Sequence, residues 1–143
     1  MKNETVDYTI KITWHAISRM YNEQASKHGS TAAVGFVLLN IDAREGTPAT
    51  KIAPALGMEA TSLARMLKNL EESELIYRVH DQNDKRLVRI FLSDKGKEAR
   101  EIAKKVVKKF NNAVKETVPE EKLQTFFEVM EKINNIIADK NIY

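Results

Sequence analysis

A mainly α-helical fold carrying one small antiparallel β wing is what this 143-residue sequence predicts, and two observations predict it. Apolar residues recur at helical spacing over most of the chain. That periodicity breaks between Glu71 and Gly96, where EESELIYRVHDQNDKRLVRIFLSDKG sets two short runs of β-branched and large apolar residues side by side. Ile76 to Val79 and Leu87 to Leu92 are those runs, and Asp81-Gln82-Asn83-Asp84 between them supplies turn-forming side chains. The hairpin follows a helix, a tight glycine turn and a second helix, and that order of parts is a winged helix-turn-helix.

Each element has its own grounds. Tyr8 to His28 places Ile10, Trp14, Ile17 and Tyr21 on one helical stripe and stops at His28-Gly29-Ser30. Thr31 to Arg44 is apolar on most sides through Val34, Phe36, Val37, Leu38, Leu39 and Ile41, which predicts a central helix ended by Gly46. Thr47-Pro48 reads as an N-cap followed by proline at the first helical position, opening a short helix that finishes at Leu56-Gly57. Pro54 inside it deletes a backbone hydrogen bond, at a cost on the order of 3 kcal/mol in a regular helix, so a kink or an early end is expected. Leu63, Met66, Leu67 and Leu70 form the buried stripe of the next helix. After the hairpin, Ser93 caps a long helix marked by Ala99, Ile102, Ala103, Val106, Phe110, Ala113 and Val114. Val118-Pro119 breaks it, Glu120 and Glu121 suit the N-terminal dipole of a last helix, and Leu123, Phe126, Phe127, Met130, Ile133 and Ile137 make its apolar side.

Composition narrows the function. Without cysteine there is no disulfide, no thiolate chemistry and no thiolate-ligated zinc, and His15, His28 and His80 lack metal-ligand spacing, so no cofactor or metal is expected. The carboxylates are scattered and no glycine-rich phosphate loop is present, which argues against an enzyme. Neither a membrane-spanning run nor a secretory segment is evident, so a cytoplasmic protein, nucleoid-associated when bound to DNA, is expected. The net charge of +3 is modest but polarised, with bases outnumbering acids from Arg65 to Lys115 and an acid-rich stretch from Glu116 onward.

That polarity concentrates on the motif. Thr61, Ser62 and Arg65 take outward positions on the second helix, where base edges are read, and Lys68 one turn on is placed for phosphate. Lys85, Arg86 and Arg89 join Arg78 on the hairpin, Lys85 and Arg89 as contacts to the DNA backbone or as solvated charges, and Arg86 is the residue best suited to a narrow minor groove, with Asp84 orienting it or shaping the turn. The bland alternatives are a solvated helix face and hydroxyls that merely cap. Lys97, Arg100, Lys104, Lys105, Lys108 and Lys109 read as a solvated face of the long helix that steers encounter with DNA. A two-fold dimer built on Ile10, Ile17, Phe126, Met130, Ile133 and Ile137 would hold two such motifs one helical turn apart.

The order of elements resembles the MarR family of bacterial transcription regulators. The residues that carry the likeness are Lys51-Ile52-Ala53, Leu56-Gly57, Leu70-Glu71, Leu75-Ile76, Arg78, and Asp84-Lys85-Arg86 followed by Leu92-Ser93-Asp94-Lys95-Gly96. Glu74 stands where the family usually has glycine, and Ser93 where it has threonine. The likeness covers the whole chain and implies a single domain over 1–143, with a winged core at 30–96 and dimerisation helices at 1–29 and 97–143. It implies a homodimeric, sequence-specific reader of double-stranded DNA, a repressor acting on a pseudo-palindromic operator and released by a small aromatic or anionic effector. The cleft for that effector would draw on Trp14, His15, Phe36 and Arg44. Trp14 and Phe36 fit a core better than a cleft, and a histidine such as His15 is more often structural than a sensor. The alternative function is a winged-helix protein-interaction module that does not read DNA.

Overall fold

The computed structural model describes residues 4–140 and 142–143. Residues 1–3 of the expected first dimerisation segment, and residue 141 of the last, lie outside them. Helix α1 (Val6–Ser26) opens at Thr5, whose side chain accepts from the Tyr8 N–H, and closes before Gly29, which takes a left-handed φ of 69°. Helix α2 (Ala32–Leu39) is capped by the Thr31 hydroxyl and buries Val37 and Leu38. It is shorter than the expected 31–44. The Asn40 amide turns back on Phe36 O at 2.8 Å, and Asp42 Oδ1 accepts the N–H groups of Arg44 and Glu45, both at 2.8 Å. Side-chain bonds of this kind offer the backbone an alternative to the helix, and here the turn wins.

Thr47 is not an N-cap. Thr47–Pro48 forms a short strand, β1, and the Thr47 hydroxyl instead accepts from the Asp42 N–H at 2.9 Å. Proline is tolerated there because β1 lies at a sheet edge. Pro48 caps helix α3 (Ala49–Leu56) without a side-chain bond, and Pro54 does not end the helix early: it lies inside the helix, which continues to Leu56, the end expected from the sequence. Gly57, at φ 63°, closes the helix while Met58 N donates to Ala53 O at 2.9 Å. Helix α4 (Ala60–Glu72) turns Leu63, Leu67 and Leu70 inward.

Strands β2 (Ile76–His80) and β3 (Val88–Leu92) form the expected antiparallel hairpin, in a register running from Ile76 opposite Leu92 to His80 opposite Val88. The expected two-stranded wing is part of a three-stranded sheet of order β1-β3-β2, because Thr47 pairs with Ile90. Helix α5 (Asp94–Thr117) and helix α6 (Glu120–Asp139) complete the chain. Val37, Leu38, Ile41, Ile52, Leu63, Leu67, Leu70, Ile76, Ile90 and Leu92 form one core that fixes α2, α3 and α4 to the sheet. Each such side chain contributes roughly 1.5–3 kcal/mol by leaving water, so the motif rests on a rigid base.

The chain divides into two compact units between Val106 and Val107, and the winged core lies in the first. The second contains the end of α5 and all of α6, where Phe126 and Phe127 meet edge to face at 5.4 Å and α6 has no fully buried residue.

Candidate nucleic-acid interface

With Leu63, Leu67 and Leu70 turned into the core, the helical period leaves Thr61, Ser62, Arg65 and Lys68 on the exposed side of α4. None of the four makes a side-chain hydrogen bond or ion pair among the described residues. Because α4 starts at Ala60 with Glu59 as its N-cap, the Thr61 and Ser62 hydroxyls fall inside the first turn and do not cap it. Their donors and acceptors face solvent.

The tip of the wing is built by two aspartates. Asp81 Oδ1 accepts the N–H groups of Asn83 at 2.7 Å and Asp84 at 3.1 Å, and Asp81 N and Leu87 O close the loop at 2.9 Å. Asp84 then holds Arg86 three times: Oδ1 accepts its backbone N–H at 3.0 Å and its Nε at 3.1 Å, and Oδ2 accepts Nη2 at 3.2 Å. The Arg86 side chain remains 90% exposed, so the guanidinium is aimed without being covered. Those bonds, the side-chain ones first, hold the Asp84 carboxyl below the usual aspartate range. Lys85 is exposed, and its carbonyl lies 3.3 Å from His80 Nδ1.

The other hairpin cations have structural partners. Arg78 Nε meets Glu71 Oε2 at 3.3 Å, joining the wing to the end of α4. Arg89, read from sequence as a backbone contact, donates through Nη1 to Glu45 O at 3.2 Å and Gly46 O at 3.3 Å. A charge visible in sequence carries no sign of its partner, and here the partner is a carbonyl pair far away along the chain.

A second cluster lies on α1 and α2. The Phe36 ring sits 6.0 Å from Trp14 and 5.7 Å from Tyr21, and burial raises the Tyr21 hydroxyl's pKa. Trp14 is 50% exposed, which places it at the rim of the aromatic group and outside the core. Of the four residues expected in a cleft, the structure brings Trp14 and Phe36 together. His15 is exposed, and Arg44 belongs to the Asp42 turn. Sequence reasoning missed Tyr21 as the third ring, although its place on the α1 stripe was the available signal.

On α5, Lys97, Lys104, Lys105, Lys108 and Lys109 are exposed as expected, whereas Arg100 is not a solvated residue: its side chain is only 22% exposed. Of the residues expected at a dimer contact, Ile10, Ile17, Met130 and Ile133 are half-buried, and Phe126 and Ile137 are exposed. Among the described residues no group of His, Cys, Asp and Glu is placed to hold a metal ion, and no helix is long and apolar enough to cross a membrane.

A helix-turn-helix with an open polar face, followed by a hairpin ending in an oriented arginine, defines a winged helix-turn-helix protein. Residues 31–88 match the model of the MarR family. It is 36% identical over 83 residues to the HTH-type transcriptional regulator TtmR of Methylorubrum extorquens, a stretch that covers 58% of this chain and 43% of TtmR. The match thus spans less than half of that relative. Among solved structures, the fold is shared with the S. aureus MepR–DNA complex at a TM-score of 0.84 and 22% identity, covering 92% of this chain and 97% of MepR. The transcriptional repressor CouR, bound to a 23-mer DNA duplex, gives a TM-score of 0.78 and 26% identity over 92% of this chain and 93% of CouR.

Proposed function

We propose that this protein is a transcription regulator that binds double-stranded DNA sequence-specifically as a homodimer, represses from a pseudo-palindromic operator, and responds to a small aromatic or anionic effector. The observation that carries the reading is the wing tip, where a bidentate carboxylate holds an almost fully exposed arginine. A carboxylate at a phosphate-facing tip would repel DNA unless neutralised, and Arg86 neutralises it while gaining a fixed direction. The α4 face supports the same reading, with Thr61, Ser62 and Arg65 for base edges and Lys68 and Lys85 for phosphates. CouR's description as a DNA-bound repressor supports the sign of regulation. The half-exposed Trp14, its ring tilted against Phe36, supports an aromatic effector, and the exposed Phe126 and Ile137 support a dimer.

Selection from random duplexes tests this directly, since a sequence-specific reader enriches a motif. On the selected operator, Arg86→Ala should weaken binding by roughly 1–3 kcal/mol in a fluorescence anisotropy titration. Unchanged affinity would remove the wing from the mechanism. A flat response to salt would count against phosphate contact. The second reading, a protein-interaction module, draws on half-exposed Tyr77, Val79 and Leu87 along the hairpin. It is favoured if no motif is enriched.

A further inference from the structure

His80 ends β2 just before the tip loop, and that loop holds its ring: Nδ1 lies 3.3 Å from the Lys85 carbonyl oxygen. A carbonyl oxygen can only accept, so Nδ1 carries the hydrogen in this contact. The neutral ring is thereby fixed in one tautomer, with Nε2 as a bare acceptor. His80 is exposed, and Nε2 makes no hydrogen bond among the described residues. Adding a proton leaves the tie to Lys85 in place and turns Nε2 into a donor. The charged groups around the ring are otherwise engaged. On the same side of β2, Arg78 is paired with Glu71. Across the ladder stands the apolar Val88, and Arg89 beyond it bonds Glu45 O and Gly46 O. In the loop, Asp81 Oδ1 accepts from Asn83 and Asp84, and the Asp84 carboxyl, lowered by its bonds to Arg86, stays ionised against that guanidinium. Lys85 is left as an exposed cation beside the ring, and no carboxylate pairs with His80 among the described residues. The counter-charge of a protonated His80 has to come from outside the chain.

We propose that His80 Nε2 is a proton-controlled contact to a DNA phosphate at the base of the wing, so that protons act as an effector of DNA binding. This deepens the function proposed above and rests on its DNA reading. A neutral Nε2 turns a lone pair toward a phosphate oxygen and is repelled, whereas an imidazolium Nε2–H donates a charge-assisted bond to it. Lys85 opposes a second positive charge in the free chain, and a phosphate reverses that balance, so binding takes up a proton. Affinity is therefore greatest where the ring is protonated and falls as pH rises. Without cysteine, the histidines are the side chains whose ordinary range falls between about pH 5 and 8, and His15 and His28 belong to α1 and the turn after it, not to the wing.

Fluorescence anisotropy of the full chain on a labelled duplex taken from random selection, read at about pH 5.5 and about pH 8 over a salt series, tests the contact. Affinity should be roughly three- to tenfold higher per motif at the lower pH. The slope of log affinity against log salt should be steeper there by about 0.9 per motif, the signature of one more phosphate contact. His80→Asn keeps an amide N–H for the Lys85 carbonyl and cannot titrate, so it should bind at the high-pH level throughout. His80→Lys carries its charge at both pH values and should bind near the low-pH level throughout. A merely structural histidine would not give two variants that flatten the pH profile at opposite levels. Wild-type affinity that is the same at both pH values, or a full pH dependence retained by His80→Asn, overturns the proposal. A selection that enriches no duplex overturns the DNA reading and this contact with it, whereas an enriched duplex bound with a flat pH profile removes the contact alone.

Discussion

Glu74 occupies a left-handed backbone conformation, φ 62°, in the turn between α4 and β2. Its carbonyl accepts the Ser93 hydroxyl at 2.6 Å, but its carboxylate makes no bond among the described residues, so the side chain contributes strain without a contact. Glu74→Gly should stabilise the fold by about 0.5–1 kcal/mol, the left-handed penalty less the extra entropy of a glycine in the unfolded chain. A higher urea midpoint at unchanged slope is the expected readout, and a lower midpoint would show that the carboxylate has a role here. Asp84 is the opposite case, a side chain with every bond in use. Its carboxyl is held low by Arg86, so its contribution to wing order is complete above the usual aspartate range and is lost as pH falls through the lowered value. Carbon-detected NMR should place its titration below that of an ordinary aspartate, and Arg86→Ala should move it upward. Asp84→Asn should leave non-specific DNA affinity equal or higher, through the added net positive charge, while reducing the specific-to-non-specific ratio about tenfold, the scale of one misplaced base-region contact. Equal loss on all duplexes would make Asp84 a fold residue only.

At the scale of elements, the start of α5 is the joint on which the motif hangs. Ser93 Oγ accepts the Gly96 N–H at 3.0 Å and donates toward Glu74 O and Leu75 O, while Lys95 Nζ reaches Ser73 O at 3.1 Å. Ser93→Ala removes a helix cap and a tie to the α4–β2 corner together and should cost about 1–2 kcal/mol by urea denaturation, whereas Ser93→Thr should be close to neutral. Gly96 has no room for a side chain, because a Cβ would run into the Leu75 carbonyl. The cap was readable from the sequence, as a hydroxyl at the start of a long apolar-striped helix, whereas its ties to Glu74 and Leu75 across the α4–β2 corner were not. The long helices were readable for a related reason: stripes such as Leu63, Leu67 and Leu70 repeat often enough to fix a period. Strand β1 was not, because two residues have no period and Thr47-Pro48 fits a helix cap equally well. The end of α2 was missed because Asp42's turn bonds outcompete a strongly apolar run. The bonds of Arg89 to Glu45 O and Gly46 O were not legible, because nothing in a sequence marks a carbonyl partner far along the chain. Arg89→Gln should therefore lower stability by about 1 kcal/mol and leave the salt dependence of DNA binding unchanged. A shallower salt slope at unchanged stability would restore it to the DNA surface.

For the whole molecule, the question is what covers α6. Phe126, Phe127, Val129, Ile136 and Ile137 are all exposed, Phe127 by 63% and Ile137 by 61%, more apolar surface on one helix than a solitary soluble protein ordinarily leaves in water. Phe126, Met130, Ile133 and Ile137 repeat at helical spacing, which makes a continuous stripe suited to a second copy of the chain. If that stripe holds the dimer, joining two winged motifs turns the second half-site contact into an intramolecular step, a gain of roughly 10²- to 10⁴-fold in avidity. Ile137→Glu places a charge in the stripe at a position already open to water, so the subunit should stay folded by circular dichroism while light scattering reports a monomer. Affinity for a full two-fold operator should then fall by about 10²- to 10⁴-fold, and affinity for an isolated half-site should stay as it was. A variant that remains dimeric would move the interface elsewhere. One that becomes monomeric yet binds the full operator as before would show that a single motif suffices, and that pairing of subunits is no part of DNA recognition.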